Sequence, residues 1–245
     1  MLTGDLGQSV RSLQPVTSVL GERLPVTGLL AIGATLLTIV VAVPLGILAA
    51  VRKRKFADRA LLVTSALSLA VPSFFLGILL LIAFAVNLRW FPVYGYKQLG
   101  EGVWPSIQGI ALPVVALAVP QTAVVARMTR ASMLEVLSQD YVVTARATGL
   151  SRLRVYYRHA LKNALIPIVT VVGLNFGALL GGTVIIEQVF NFPGLGTLLI
   201  NSVNARDYSI IQGIVLLFGA AYIVINLSVD IVYAYLDPRV RYGQS

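Results

Sequence analysis

The sequence predicts an all-α protein, a polytopic bundle of transmembrane helices with five spans visible, folded as one domain over residues 1–245. Three observations predict it. The 245 residues are 57% hydrophobic and only 12% charged, against about 25% charged in a typical soluble domain, and mean hydropathy is +0.85. The apolar residues gather into five long runs. Of the nineteen basic residues, fourteen fall in alternate gaps between those runs.

The five runs are Thr27–Val51, Ala60–Val86, Ile110–Ala126, Ala164–Ile186 and Ile210–Tyr233. The first four contain no charged residue, and the fifth holds only Asp230, four residues after Asn226 and near its end. A hydrocarbon core of about 30 Å needs roughly 20 apolar residues in a helix, so Ile110–Ala126 is short and should extend past these ends. Helices follow because backbone polar groups in lipid must be satisfied within their own segment. Pro44, Pro72, Pro113, Pro120 and Pro167 punctuate the first four spans, each removing a helical N–H and inviting a kink.

The formal charge of +9 could suggest nucleic acid, but its placement argues otherwise. Arg52, Lys53, Arg54, Lys55 and Arg59 follow the first span; Arg127, Arg130, Arg146, Arg152, Arg154, Arg158 and Lys162 follow the third; Arg239 and Arg241 follow the fifth. Only Arg11, Arg23, Arg89, Lys97 and Arg206 lie on the other side. Basic residues mark the cytoplasmic face, so an external N-terminus and a cytoplasmic C-terminus are expected. Residues 1–26 are then an external segment, Arg52–Arg59 a tight cytoplasmic turn, and Asn87–Gly109 an external loop whose Trp90, Phe91, Tyr94, Tyr96 and Trp104 suit a membrane interface. The first 26 residues show no basic stretch followed by an apolar core, so a polar tail would have to cross unaided; a missing upstream helix is the expected resolution.

The cytoplasmic stretch 127–163 carries structure of its own. Met133, Leu134, Val136, Leu137, Tyr141, Val142 and Ala145 give a broken helical period. Gly149 suits the residue just past a helix end, and Ser151 can cap a second helix starting near Arg152. Helix, glycine turn, helix is one reading; an amphipathic connector on anionic lipid is the other. In the fourth span, Gly173, Gly177 and Gly181 recur at four-residue spacing, which lets a neighbouring backbone approach. With Asn175 they could alternatively line a translocation path.

Several chemistries are missing. With no cysteine there is no disulfide or thiolate metal site. No lysine follows a glycine, so there is no phosphate-binding P-loop. There is a single histidine, His159, and no nucleophile, base and orienting acid set. Neither a catalytic residue nor a metal site is expected.

The run DYVVTARATGLSRLRVYYRHALKNALIPIVTVVG from Asp140 to Gly173 closely resembles the coupling loop of permease subunits in the peptide and nickel branch of bacterial ABC importers. GDLGQS at Gly4–Ser9, FNFPGLG at Phe190–Gly196 followed by Arg206-Asp207-Tyr208, and DPRVR at Asp237–Arg241 are similar to that branch's first external segment, last external loop and cytoplasmic end. Within the general importer motif Ala145, Gly149 and Leu161 match, whereas Val143, Thr144, His159 and Lys162 depart from it in the manner of the peptide branch. The family has a further helix ahead of the GDLG segment.

The resemblance implies a type I importer permease in the bacterial inner membrane that forms the path for short peptides. It implies coupling to ATPase subunits through a short helix centred on Tyr141–Leu150, in a coupling loop whose residues are Asp140, Tyr141, Ala145, Arg146, Gly149, Leu150 and Arg154. The implied partners are a homologous second permease, two ABC ATPase subunits that hold the ATP and magnesium, and an external substrate-binding protein. No cofactor is expected in this chain and no nucleic acid as a partner. Nickel or another small solute is the alternative cargo. A secondary transporter is the rival class, but it would need charge at mid-membrane and commonly an internal repeat; a non-transport scaffold is the other.

Overall fold

The structure, a computed structural model, describes residues 6–93, 103–151 and 154–236, with backbone alone at 103, 105, 143, 146, 147, 157–159, 235 and 236. Every regular element among them is helical. Helix α1 runs Val16–Val51, α2 Phe56–Ala70 and α3 Ser73–Leu80, which widens into a π-helical stretch at Leu81–Asn87. Helix α4 is Val103–Leu137 and α5 Asp140–Ala147. A second π-helical stretch, Val155–Ala160, leads into α6, Leu161–Val189. Then come α7, Leu195–Ala205, and α8, Tyr208–Leu236.

Four of these helices are long and apolar enough to cross a membrane, and a fifth span results if the bent pair α2 and α3 is counted as one. The second run was expected as one span. Instead its two helices meet at 95°, with Pro72 immediately before α3. Proline offers no N–H to the preceding turn and pushes the residue before it out of the helical region. Pro44, Pro113, Pro120 and Pro167 lie inside helices that continue through them. The short third run belongs to a helix of 35 residues. That helix continues past Ala126, so the first eleven residues of the stretch 127–163 extend it to Leu137.

The chain divides into two compact units. The first comprises Met1–Leu37, Val71–Ala118 and Phe176–Ile223. Its main core packs Leu30, Ala34, Leu117, Ile186, Phe190 and Phe192, and a smaller cluster joins Val16, Leu20, Leu195, Ile210 and Ile214. The second comprises Thr38–Ala70, Val119–Asn175 and Val224–Ser245. Its core is rich in alanine: Ala42, Ala49, Ala50, Ala126, Ala160 and Ala164 pack with Ile47, Met133 and Ile168. Small residues are the expected currency where helices associate in lipid, since no hydrophobic gain separates core from tail and only close approach helps. At Gly46 a Cβ would stand 2.7 Å from the Ala126 carbonyl oxygen, so α1 and α4 touch backbone to backbone there. Many other large apolar side chains face outward, with Val40 68% and Ile223 66% exposed, as suits a surface solvated by lipid.

Candidate functional site

Helix α5 and the turn after it hold the residues singled out for ATPase coupling. Asp140 opens the helix, where a carboxylate complements the positive end of the helix dipole. Val142 points inward and is fully buried, whereas Asp140, Tyr141 and Thr144 are exposed. The Tyr141 hydroxyl accepts a 2.6 Å hydrogen bond from the Asn163 side-chain amide, which ties α5 to the start of α6. Gly149 is exposed with φ +81°, in the left-handed region, and a Cβ added there would meet nothing within 4 Å. The glycine is therefore required by the backbone angle and not by space. The Ser151 carbonyl accepts the Val155 N–H at 3.1 Å, the first bond of the following helical stretch. Arg152, part of that expected helix start, lies outside the described residues, as does the side chain of Arg146. Leu150 is half-buried, and so is Ala145; Arg154 is exposed.

The three glycines of α6 have different surroundings. A Cβ on Gly173 would run into the Val229 side chain, and one on Gly177 into the Tyr222 ring, so α8 approaches α6 closely at both. Gly181 is exposed and faces open space. Four-residue spacing drifts around a helix of 3.6 residues per turn, and α8 does not follow the drift as far as Gly181. The Asn175 side-chain nitrogen between them is buried and finds no acceptor among the described residues.

A second site, not anticipated from sequence, lies at the other end of α6. Glu187 is fully buried. Its carboxylate accepts the Thr27 hydroxyl at 2.6 Å and the Thr197 N–H at 3.0 Å, and the Gly196 N–H also bonds to it. Thr27 in turn accepts the Leu195 N–H at 2.8 Å. These are among the first N–H groups of α7, which no helical carbonyl can reach. A carboxylate and a hydroxyl supplied by α6 and α1 serve as the cap. Gly194 and Gly196 are needed because side chains there would collide with Glu187 or with Val184. Phe190 and Phe192 of the same FNFPGLG turn are plugged into the core, and Arg23 donates to the Pro193 carbonyl at 3.3 Å. The turn is thus fixed on both sides. Glu187 falls one residue beyond the apolar run, which is why hydropathy did not single it out.

At its opposite end α7 stops on Arg206 in the left-handed conformation, and Asp207 caps α8 through the Ile210 N–H at 3.4 Å. The same carboxylate receives the Ser9 hydroxyl at 2.5 Å, while Ser9 accepts the N–H groups of Arg11 and Ser12. Burial pushes the Asp207 carboxyl up, but the hydrogen bonds from Ser9, Ile210, Val10 and Arg11 outweigh it and hold the group below the usual aspartate range. The GDLGQS segment, described from Leu6 onward, and the Arg-Asp-Tyr motif are therefore one structure. A cavity of about 370 Å³ opens beside this clasp, rimmed by Arg11, Glu22, Arg23 and Asn201. The motif at Asp237–Arg241 lies outside the described residues.

Residues 42–242 match the family described as binding-protein-dependent transport system inner membrane component. Among curated relatives, the probable peptide ABC transporter permease protein y4tP of Sinorhizobium fredii is 46% identical over 99% of this chain and 77% of its own length. The oligopeptide transport system permease protein AppB of Bacillus subtilis is 40% identical over 99% of this chain and 78% of its own. The glutathione transport system permease protein GsiC of Escherichia coli is 43% identical over 98% of this chain and 76% of its own. Among solved structures, a chain of the inward-facing MetNI methionine ABC transporter superposes with TM-score 0.73 at 16% identity, covering 90% of this chain and 97% of that one. A chain of an amino acid ABC transporter crystallised with histidines gives 0.61 at 18% identity, covering 89% and 94%. At such identities these two likenesses speak for the fold alone.

Proposed function

Because this chain belongs to the binding-protein-dependent transport system inner membrane components, we infer that it is a permease subunit of an ABC importer for short peptides. It is a multi-pass membrane protein, and the relatives named as peptide, oligopeptide and glutathione permeases cover nearly all of it. In this reading two ATPase subunits on the cytoplasmic face bind and hydrolyse ATP, a second homologous permease completes the path, and an external binding protein delivers the peptide.

The observation that carries the coupling role is one short, outward-facing helix with a left-handed Gly149 at its end, set between two membrane helices. Asp140, Tyr141, Ala145 and Arg146 of this helix, with Gly149, Leu150 and Arg154 beyond its end, are the docking residues. ATP-driven closure of the ATPase pair moves this helix and favours one of two permease conformations, through contacts that differ between them. The rim of Arg11, Glu22, Arg23 and Asn201 is assigned to the external face, where the binding protein meets it. The buried, unpartnered amide of Asn175 supports a place beside the path or the second permease, since such a donor calls for an acceptor.

The test is uptake of labelled dipeptide into vesicles holding the assembled transporter, with ATP inside or outside. Uptake that needs ATP on the ATPase side and the binding protein on the other supports the reading. Uptake driven by an ion gradient without ATP would overturn it. The orientation is tested separately by a cysteine at Ser138, which should resist an impermeant thiol reagent in intact cells and react once the membrane is opened.

A further inference from the structure

The turn between α1 and α2 holds a cluster of charge apart from the coupling helix. Arg52, Lys53, Arg54 and Lys55 follow one another directly after the apolar end of α1, and Phe56 begins α2. The turn is closed by hydrogen bonds from the Lys55 N–H to the Arg52 carbonyl at 2.9 Å and from the Asp58 N–H to the Lys55 carbonyl at 3.1 Å. Arg54 sits at φ +64°, an uncommon angle for a side-chain-bearing residue, held by its N–H on the Asp58 carboxylate at 2.8 Å. Asp58 is only 3% exposed and forms a two-pronged ion pair with Arg130 of α4, by Nε to one oxygen and by Nη2 to the other at 3.0 Å.

Two consequences follow. Asp58 is taken up by Arg130, and none of the four successive cations forms a salt bridge among the described residues, Lys53 acting on Asp58 only at longer range. The cations are also displayed on a backbone fixed by Asp58, so little order has to be imposed when they bind an anion. Next to them Phe56 is 87% exposed. Leu48 on α1 and Val63 on α2 are exposed as well, 41% and 60%. Cations clustered within a turn of a membrane helix lie at headgroup level, where anionic lipid attracts them. An aromatic ring at that level enters the boundary between headgroup and acyl chain.

We propose that the α1–α2 turn is a binding site for anionic phospholipid, in which Arg52, Lys53, Arg54 and Lys55 hold headgroup phosphates and Phe56 enters the acyl boundary beside them. The proposal rests on the cytoplasmic placement of this turn in the reading above. It does not depend on what the transporter carries.

The test uses the assembled transporter in lipid nanodiscs. Retention of phosphatidylglycerol against phosphatidylcholine is measured by native mass spectrometry for the wild-type chain, for Arg52→Gln/Lys53→Gln/Lys55→Gln and for Phe56→Ser. The triple variant leaves Arg54, Asp58 and Arg130 in place, so the turn keeps its shape. Phosphatidylglycerol should be preferred by the wild-type protein, and each neutralised charge should weaken it about fivefold, with the loss shrinking as salt rises. Phe56→Ser should weaken both lipids at all salt concentrations. Equal retention of the two lipids by the wild type, or unchanged retention by the triple variant, would overturn the proposal. So would displacement of the lipid by inorganic phosphate, or loss of the ATPase subunits rather than lipid, which would assign the cations to a free anion or a protein. Lipid preference without ATP-driven uptake would leave this site standing and remove only the permease reading.

Discussion

Thr27 and Glu187 stand 160 residues apart in sequence and share a 2.6 Å hydrogen bond with both residues essentially without solvent exposure. Through this pair α1, the end of α6 and the first turn of α7 are joined at one corner.

Replacing Glu187 with Leu would leave the Thr27 hydroxyl and the Thr197 and Gly196 N–H groups without their acceptor. Each buried unsatisfied donor costs about 1–3 kcal/mol, so a loss of roughly 3 kcal/mol or more is expected, read as a fall of several degrees in the Tm of the purified chain. Thr27→Val should cost less, because Glu187 keeps its two N–H donors. A Leu variant melting with the wild type would show that the corner is held by its phenylalanines alone.

The Asp207 clasp predicts a pH dependence. A carboxyl whose folded value is depressed adds stability that is complete above its unfolded value and is lost as pH falls through the folded one. The gap in Tm between the wild type and Asp207→Ala should therefore be constant near neutrality and narrow below about pH 4. Ser9→Ala should show a smaller gap that closes over the same window. A gap that widened on acidification would contradict the assignment of a low folded value.

For the glycines of α6, geometry separates positions that spacing treats alike. Gly173→Leu and Gly177→Leu should each destabilise by about 1–3 kcal/mol, the usual cost of overpacking, because Val229 and Tyr222 occupy the space a side chain would need. Gly181→Leu should fold normally, within roughly 0.5 kcal/mol of the parent. Three equal losses in a thermal-shift series would show that Gly181 also meets a neighbour.

Gly149 offers a test of coupling without a test of packing. Gly149→Ala adds a methyl to open space at φ +81°, costing about 1–2 kcal/mol of backbone strain, and should slow uptake moderately. Gly149→Asp or Arg146→Glu should abolish ATP-driven uptake while the chain still reaches the membrane, by changing charge at a docked surface. Uptake and ATPase activity, both normalised to assembled complex, give the comparison; normal transport by both charge variants would reduce α5 to a connector on the lipid surface.

Fold class and the positions of the membrane helices were legible in the sequence, because lipid imposes a local rule: an apolar run of sufficient length has to satisfy its own backbone and so becomes a helix. The turn at Gly149 was legible for the same reason, since helix ends are encoded by nearby residues. What only the tertiary structure decided is which helix faces meet. The open side of Gly181 and the pairings Thr27 with Glu187, Ser9 with Asp207 and Asp58 with Arg130 depend on how segments far apart in the chain pack. Hydropathy gives each of those polar residues the same unfavourable value wherever its partner lies. Its cost in the fold is set by whether a donor or acceptor arrives within about 3 Å, and that is a property of packing.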